Sequence, residues 1–333
     1  MPTIRKIGIL VSIAFLSAAS LTAESKSRFG DYGFSLSPLM GMLYGHSEEN
    51  LYKYSNRDLY TSQLLWDLKP LIYTGLALDF GIKDHFKRNG LILAASLKYG
   101  LPLKTGIMED RDWLYDDNEK LTNYSRHDAY SKSAILLDIS GAYSWRISYF
   151  LSFSASLEFS YMYYSWSGEN GYYQYVSFAG DKPVPGQIWS NSIPKIPLNG
   201  AVIQYTQNWF FLSPGISLKG RINRYFSAEG SFNYSPLIYV VARDDHLLAK
   251  KIFWDYCSFG HYVSLGGKFI FKPYNNLDLS VSLAYRQISG PRGKSYQDTS
   301  GQGNSVVIEN TNDAGAAYSA LELGFAAKVK ISR

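Results

Sequence analysis

Apolar and polar residues alternate with a period of two along most of this chain, and the last forty residues give the cleanest case. Leu321, Leu323, Phe325, Ala327, Val329 and Ile331 alternate with Glu322, Gly324, Ala326, Lys328, Lys330 and Ser332. Successive side chains of an extended chain point to opposite faces, so this is a strand with one apolar face and one charged face. Leu91, Leu93, Ala95, Leu97, Tyr99, Leu101 and Leu103 make a second such face, and Leu76, Leu78, Phe80 and Ile82 a third. The pattern predicts ten strands, near 29–45, 59–82, 90–112, 128–145, 149–166, 200–220, 225–246, 255–272, 277–289 and 316–332. Short connections, at 83–89, 144–148, 220–224 and 273–276, alternate with long ones at 45–58, 104–127, 167–198, 247–254 and 289–315. That alternation is the signature of a transmembrane β-barrel with short periplasmic turns and long extracellular loops. The expected fold is all-β, a ten-stranded antiparallel barrel. Several strands exceed the 9–11 residues that cross a bilayer, so the barrel should stand above the membrane on its long-loop side.

The N-terminus supplies the route to that membrane. Arg5 and Lys6 precede an apolar run over 7–16, and small residues follow over 17–23. This is the layout of a secretory signal peptide, too short to span a bilayer as a helix. Cleavage after Ala19 or after Ala23 both fit, leaving 24–333 as a single barrel domain. An exported chain without a long apolar segment can cross a membrane only as a closed barrel.

Composition agrees. Aromatic residues make up 16% of the 333 residues, with Tyr alone at 28, as suits interfacial girdles. The net charge of +5 comes without a Lys/Arg block, so nucleic-acid binding has no support. The lone cysteine, Cys257, rules out an intrachain disulfide and a Cys-based zinc cluster. No loop has the periodic oxygen-ligand spacing of an EF-hand, and neither metal nor cofactor is expected. Asn123-Tyr-Ser and Asn233-Tyr-Ser match the glycosylation acceptor pattern, but the second lies inside a strand.

Two charged clusters sit where strands run into long loops: MEDRDW (108–113) and RDDH (243–246). Asp110 and Asp112 are two apart and share a face; parity from Leu97, Tyr99, Leu101 and Leu103 turns them into the lumen. Asp244 and His246 also share a face, but parity from Phe232 and Tyr234 sends them outward. A one-residue bulge or change of facing between Tyr234 and Asp244 is therefore predicted, at Pro236, where a strand tolerates one. With all four inside, the third–fourth and seventh–eighth hairpins oppose them across the mouth. His246 is then a general base oriented by Asp244, and Asp110 with Asp112 holds an attacking water. No Ser or Cys is placed as a nucleophile.

The same residues resemble the omptins, outer-membrane endopeptidases of Gram-negative bacteria. GIMEDRDW is similar to the family's Asp-x-Asp-Trp loop, SRHDA (125–129) to its Ser-Arg-His segment, and DDH (244–246) to its Asp-acidic-His motif. SQLLWDLKP (62–70) is similar to its second-strand Ser-Gln-Leu-x-Trp stretch. The resemblance implies a ten-stranded barrel in the outer membrane of a diderm bacterium, acting on peptide or protein substrates from outside, as a monomer. It implies that Asp110 and Asp112 are the water-holding couple and Asp244 with His246 the dyad. It also implies that Glu49 binds a basic substrate side chain. A second pocket acid of the family aligns with Ala242, beside Arg243, which leaves dibasic specificity open. Its lipopolysaccharide-binding residues are poorly matched: the basic one on the fifth strand aligns with Tyr163 and an acidic one with Tyr161. A lipopolysaccharide requirement therefore stays open. The chain ends Ile331-Ser332-Arg333 rather than on an aromatic residue. The alternative on the same scaffold is a non-catalytic barrel, a pore or an adhesin.

Overall fold

The computed structural model describes residues 32–331, apart from 55, 57, 116–119, 181 and 299–306. The expected signal peptide over 1–23 and the terminal Ser332 and Arg333 lie outside the described residues. Every regular element among the described residues is a strand. In chain order they are β1 (Tyr32–Tyr52), β2 (Tyr60–Ile82), β3 (Gly90–Gly100), β4 (Lys104–Asp112), β5 (Asn123–Arg146) and β6 (Leu151–Tyr175). Two-residue pieces follow, β7 (Phe178–Ala179), β8 (Lys182–Pro183) and β9 (Ile196–Pro197). Then come β10 (Ala201–Arg221), β11 (Phe226–Ser235), β12 (Ile238–His246), β13 (Lys251–Ser258) and β14 (His261–Tyr274). The last three are β15 (Leu277–Ser289), β16 (Arg292–Asp298) and β17 (Ile308–Ile331).

Among the described residues seventeen strands thus stand where ten were expected. Local chemistry explains the difference. The gaps between β3 and β4, β11 and β12, and β15 and β16 hold Pro102, Pro236 and Pro291, which cannot donate to a ladder. Phe259 (φ 58°) interrupts the ladder between β13 and β14, and Gly290 (φ 85°) precedes Pro291. The long loops are also shorter than expected. β1, β6 and β17 run on past the apolar alternation, and β12 turns into β13 within four residues. Above the membrane a strand needs no lipid-facing apolar row, so the pattern that marks its start and end fades before the pairing does.

All long pairings are antiparallel. From β1 they pass through β2, β3, β5, β6, β10, β11, β14 and β15 to β17, which also pairs with β1. Phe34 of β1 lies opposite both Phe80 and Ile331. On the long-loop side β4, β12, β13 and β16 fill the corresponding places in the sheet.

Burial decides which face meets what. Leu321 is 43% exposed while its neighbour Glu322 is 6% exposed, so the apolar face points outward and the charged face inward. Met40, Leu76, Leu97, Leu157, Leu265 and Leu283 continue the exposed apolar band around the sheet. This inverts a soluble protein and matches a barrel in lipid. Inside, the buried Glu322 carboxylate takes Lys98 at 2.6 Å and the Tyr73 hydroxyl at 2.7 Å, with Arg286 at 3.5 Å. Charges this deep persist because each faces an opposite charge.

Towards the long-loop end the interior is packed with aromatic rings. Trp66 stacks on Tyr205 (centroids 5.6 Å apart, planes 7° apart) and on Trp166 (5.8 Å), and Trp166 stacks on Tyr164. Tyr164 in turn stacks on Tyr318. Gln207, wholly buried, ties this layer together. Its amide donates to the Tyr205 hydroxyl (2.9 Å) and the Glu48 carbonyl (3.1 Å), and its carbonyl accepts from Trp209 (2.9 Å) and Ser47. The interior is filled at this level, and the mouth above it has a floor.

Candidate active site

The facing of β12 determines whether a site exists. Asn233 of β11 lies opposite Gly215, and Ile238 of β12 lies opposite Phe211. Five residues on one arm therefore span four on β10, so one extra residue is accommodated at Pro236–Leu237. The inward positions are Ser227 and Ser235 in β11 but Ile238, Val240, Ala242 and Asp244 in β12. The parity switch anticipated from the sequence is thus present.

It splits the RDDH cluster. Arg243 and Asp245 point outward, where they pair at 2.9 Å and Arg243 lies over the Trp254 ring. Asp244 points inward and is 2% exposed. His246 Nε2 sits 2.7 Å from Asp244 Oδ2, and its ring meets Phe253 edge-on at 5.3 Å. Asp244 pairs in register with Tyr205, a member of the aromatic floor, so the floor fixes its height.

Asp110 and Asp112 face inward from β4, held between β2 and β5. Asp110 is opposite Leu64 and Ser125, and Asp112 is opposite Ser62 and Asn123, whose amide donates to Asp112 at 3.3 Å. Behind Asp110, Ser125 contacts His127 Nε2 at 3.1 Å, and His127 Nδ1 contacts the Asn170 carbonyl at 2.5 Å. A carbonyl only accepts, so Nδ1 carries the proton and Nε2 accepts from Ser125. SRHDA entered the sequence reading only as a point of resemblance; the geometry gives it this supporting position.

The four groups share one electrostatic field. Burial works against a charged His246, but Asp244, Asp110 and Asp112 outweigh it and push its pKa up to about 9. Burial and the neighbouring Asp112 carry Asp110 well above the usual carboxyl range. Burial also raises Asp112, although Ser62, Asn123 and His246 oppose the shift. The carboxyls of Asp110 and Asp112 and the imidazole of His246 therefore act on one another's charge from β4 and β12, the two elements that carry them.

Glu49 lies inward on β1 and is 4% exposed. Burial, Asp244 and Asp255 raise its pKa well above the ordinary value. Ala242 also faces inward, between Gln207 of β10 and Asp255 of β13. Asp255 escaped the sequence reading because it stands alone among aromatics in IFWDYC, with no partner at a telling spacing. Tyr161 lies on the outer surface, where its hydroxyl donates to Asn208 at 2.9 Å and its ring meets Phe210.

A strand-only sheet with an apolar exterior, a polar interior and an acid-rich mouth defines an outer-membrane β-barrel. A sequence profile of the Omptin family matches residues 31–329, and the chain belongs to the omptin family. It is accordingly an outer-membrane protein of the Gram-negative type whose site faces outside. Its fold is similar to that of the outer membrane protease OmpT from Escherichia coli, with a TM-score of 0.76 and 18% identity over 92% of this chain and 99% of that one. The toluene transporter TodX of Pseudomonas putida aligns over 90% of this chain and 91% of its own at 8% identity, but with a TM-score of 0.31. The translocator domain of the autotransporter NalP from Neisseria meningitidis covers 99% of this chain and 98% of its own, at 9% identity and a TM-score of 0.35. No curated protein matches the chain significantly by sequence.

Proposed function

We propose that the chain is an outer-membrane endopeptidase that hydrolyses peptide bonds by water attack at the extracellular mouth. Membership of the omptin family supports a protease, and the mouth geometry supports the particular residues. The scaffold is read as ten hairpin arms, with β3–β4, β11–β12, β13–β14 and β15–β16 each one arm, closing where β17 meets β1. The observation that carries the reading is the inward His246–Asp244 contact at 2.7 Å, in the shared field of Asp110 and Asp112.

In the proposed reaction a water lies between the two halves of the site. His246, once neutral, takes a proton from the water as its oxygen attacks the peptide carbonyl. Asp244 steadies the imidazolium that forms, as the carboxylate does in a triad. Asp110 and Asp112 hold the water on the opposite side, and a proton on Asp110 can neutralise the developing oxyanion. His246 then returns its proton to the leaving amine. No covalent acyl intermediate is required, in keeping with the absence of a Ser or Cys nucleophile from the proposed set. The enzyme is read as a monomer acting on exposed peptides or host proteins.

A pore on the same scaffold is disfavoured by the wholly buried, stacked side chains of Trp66, Trp166, Tyr205 and Gln207 in the interior. The test is cleavage of a peptide library by refolded protein, with and without lipopolysaccharide. Wild type should cut and His246→Ala should not. Equal cleavage by both would refute the reading, and the two lipid arms decide the lipopolysaccharide requirement.

A further inference from the structure

Below the filled layer, towards the short turns, the interior is wet. In β14 Leu265, Phe269 and Phe271 are exposed while Tyr262 and Ile270 are buried, so Lys268 and Lys272 lie on the inward face. Lys268 is nonetheless exposed, and an inward side chain meets water only where the lumen is open. Small residues line the wall beside it: Ser282 is its partner in β15, Gly324 follows in β17, and Ser231 pairs with Ser217 on the other side. Cations converge on this space. Lys219, Glu229 and Lys268 stand side by side across β10, β11 and β14, so one carboxylate serves two ammonium groups, the nearer at 3.6 Å. Arg221, Lys328 and Lys330 have carboxylates of their own, Asp84 at 2.9 Å, Asp79 at 3.1 Å and Asp278 at 2.6 Å. Among the described residues Lys268 and Lys272 form no ion pair. Yet Lys268 and Lys328 act on the charge of Lys219, and Lys219, Lys330 and Arg221 on that of Lys272. Like charges gathered inside a barrel wall repel strongly unless an anion lies among them.

We propose that this lower lumen is an anion-binding chamber, in which Lys219, Lys268 and Lys272 take a small multivalent phosphate that enters from the periplasmic side. The site is separate from the mouth and does not depend on the endopeptidase reading. Its lysines face inward, out of reach of bilayer headgroups, so the ligand comes from solution. Its entrance favours a small ligand over a polypeptide. Phe86, on the turn between β2 and β3, is 3% exposed, with the Arg221 guanidinium 4.3 Å over its ring. The same Arg221 pairs with Asp84 of that turn. Arg221 ends β10, which is reached from β2 only through β3, β5 and β6, so the turn crosses beneath the lumen instead of staying beside its own hairpin. His85 of the turn lies in the field of Lys219, Glu229, Lys328 and Lys272. Ammonium groups are compact point charges, and several of them arriving from different strands suit a tetrahedral anion with oxygens on every side.

Calorimetric titration of inorganic pyrophosphate into the refolded full-length protein in neutral detergent tests this. Wild type should bind saturably, one ligand per chain. Lys268→Gln and Lys272→Gln should each weaken binding by about 10-fold or more, as loss of a hydrogen bond to a charged group does. Lys132→Gln, which removes an exposed cation paired with Glu169, should leave it unchanged. Circular dichroism verifies the β-signature of each variant. Where a chamber variant does not refold, reductive methylation of wild type decides: pyrophosphate should protect Lys268 and Lys272 while Lys132 reacts as before. Absence of binding by wild type, binding or methylation indifferent to the chamber lysines, or tighter binding of a hexaglutamate peptide than of pyrophosphate overturns the proposal, the last in favour of an acidic protein partner.

Discussion

Nε2 of His246 and Oδ2 of Asp244 stand 2.7 Å apart on the inward face of one strand, and this contact sets the charge state of the mouth. Asp244, helped by Asp110 and Asp112, pushes the imidazole pKa up to about 9 despite burial. A general base must be neutral, so kcat/KM should climb with pH and reach half its maximum near the same value. In Asp244→Asn the His246 ε1 proton should titrate lower by about a unit or more, as NMR of histidine-labelled protein in micelles would read. Stability should move oppositely. A raised histidine pKa stabilises the fold fully below the unfolded value of about 6.5 and ceases to do so as pH rises through the folded value. Thermal melts across pH 6 to 10 check the sign, and a contribution growing towards alkaline pH would contradict it.

Replacing the proposed catalytic groups should separate chemistry from folding. Asp110→Asn and His246→Ala are each expected to lower kcat by about 10²–10⁴-fold, the usual contribution of a positioned acid or base. Far-ultraviolet dichroism should remain that of the wild-type barrel. Loss of activity accompanied by loss of the β-signature would reassign these residues to structural roles.

The extra residue at Pro236–Leu237 makes a sharper prediction. Removing Leu237 should restore a single register along β11 and β12 and turn Asp244 and His246 outward, because a one-residue slip exchanges the two faces of a strand. Activity should vanish while all four proposed catalytic residues are still present. Full activity in the deletion variant would mean that the strand re-forms its bulge elsewhere.

The aromatic floor should bear much of the stability near the mouth. Trp66, fully buried between Trp166 and Tyr205, should cost about 3–5 kcal/mol when changed to Ala. Denaturant unfolding from micelles would measure it. Activity should fall too, since Tyr205 lies beside Asp244 in the β10–β12 ladder.

Much of this molecule is legible in its residue order, for identifiable reasons. The lipid-facing rows stand out because each strand repeats the same apolar alternation, and Leu321 and Glu322 meet lipid and lumen as their parity requires. The conflict between Tyr234 and Asp244 in parity was itself informative, since only an extra residue near Pro236 could resolve it. Strand ends were not legible, because pairing above the membrane continues through residues such as Glu48, Glu49 and Asn50 that carry no apolar rhythm. Asp255 was hidden for a different reason. Glu49 is remote in sequence and meets it only inside the barrel, and its cross-strand partner Ala242 carries no polar group that would mark the position.

The floor of Trp66, Trp166, Tyr205 and Gln207 has one more consequence. A site above a filled layer is approached from the long-loop end, so substrate arrives and both fragments depart on the same side. Whatever this protein cuts stays on the side it came from. Cleavage here cannot feed the cell through the barrel, and its effect must fall on the surroundings.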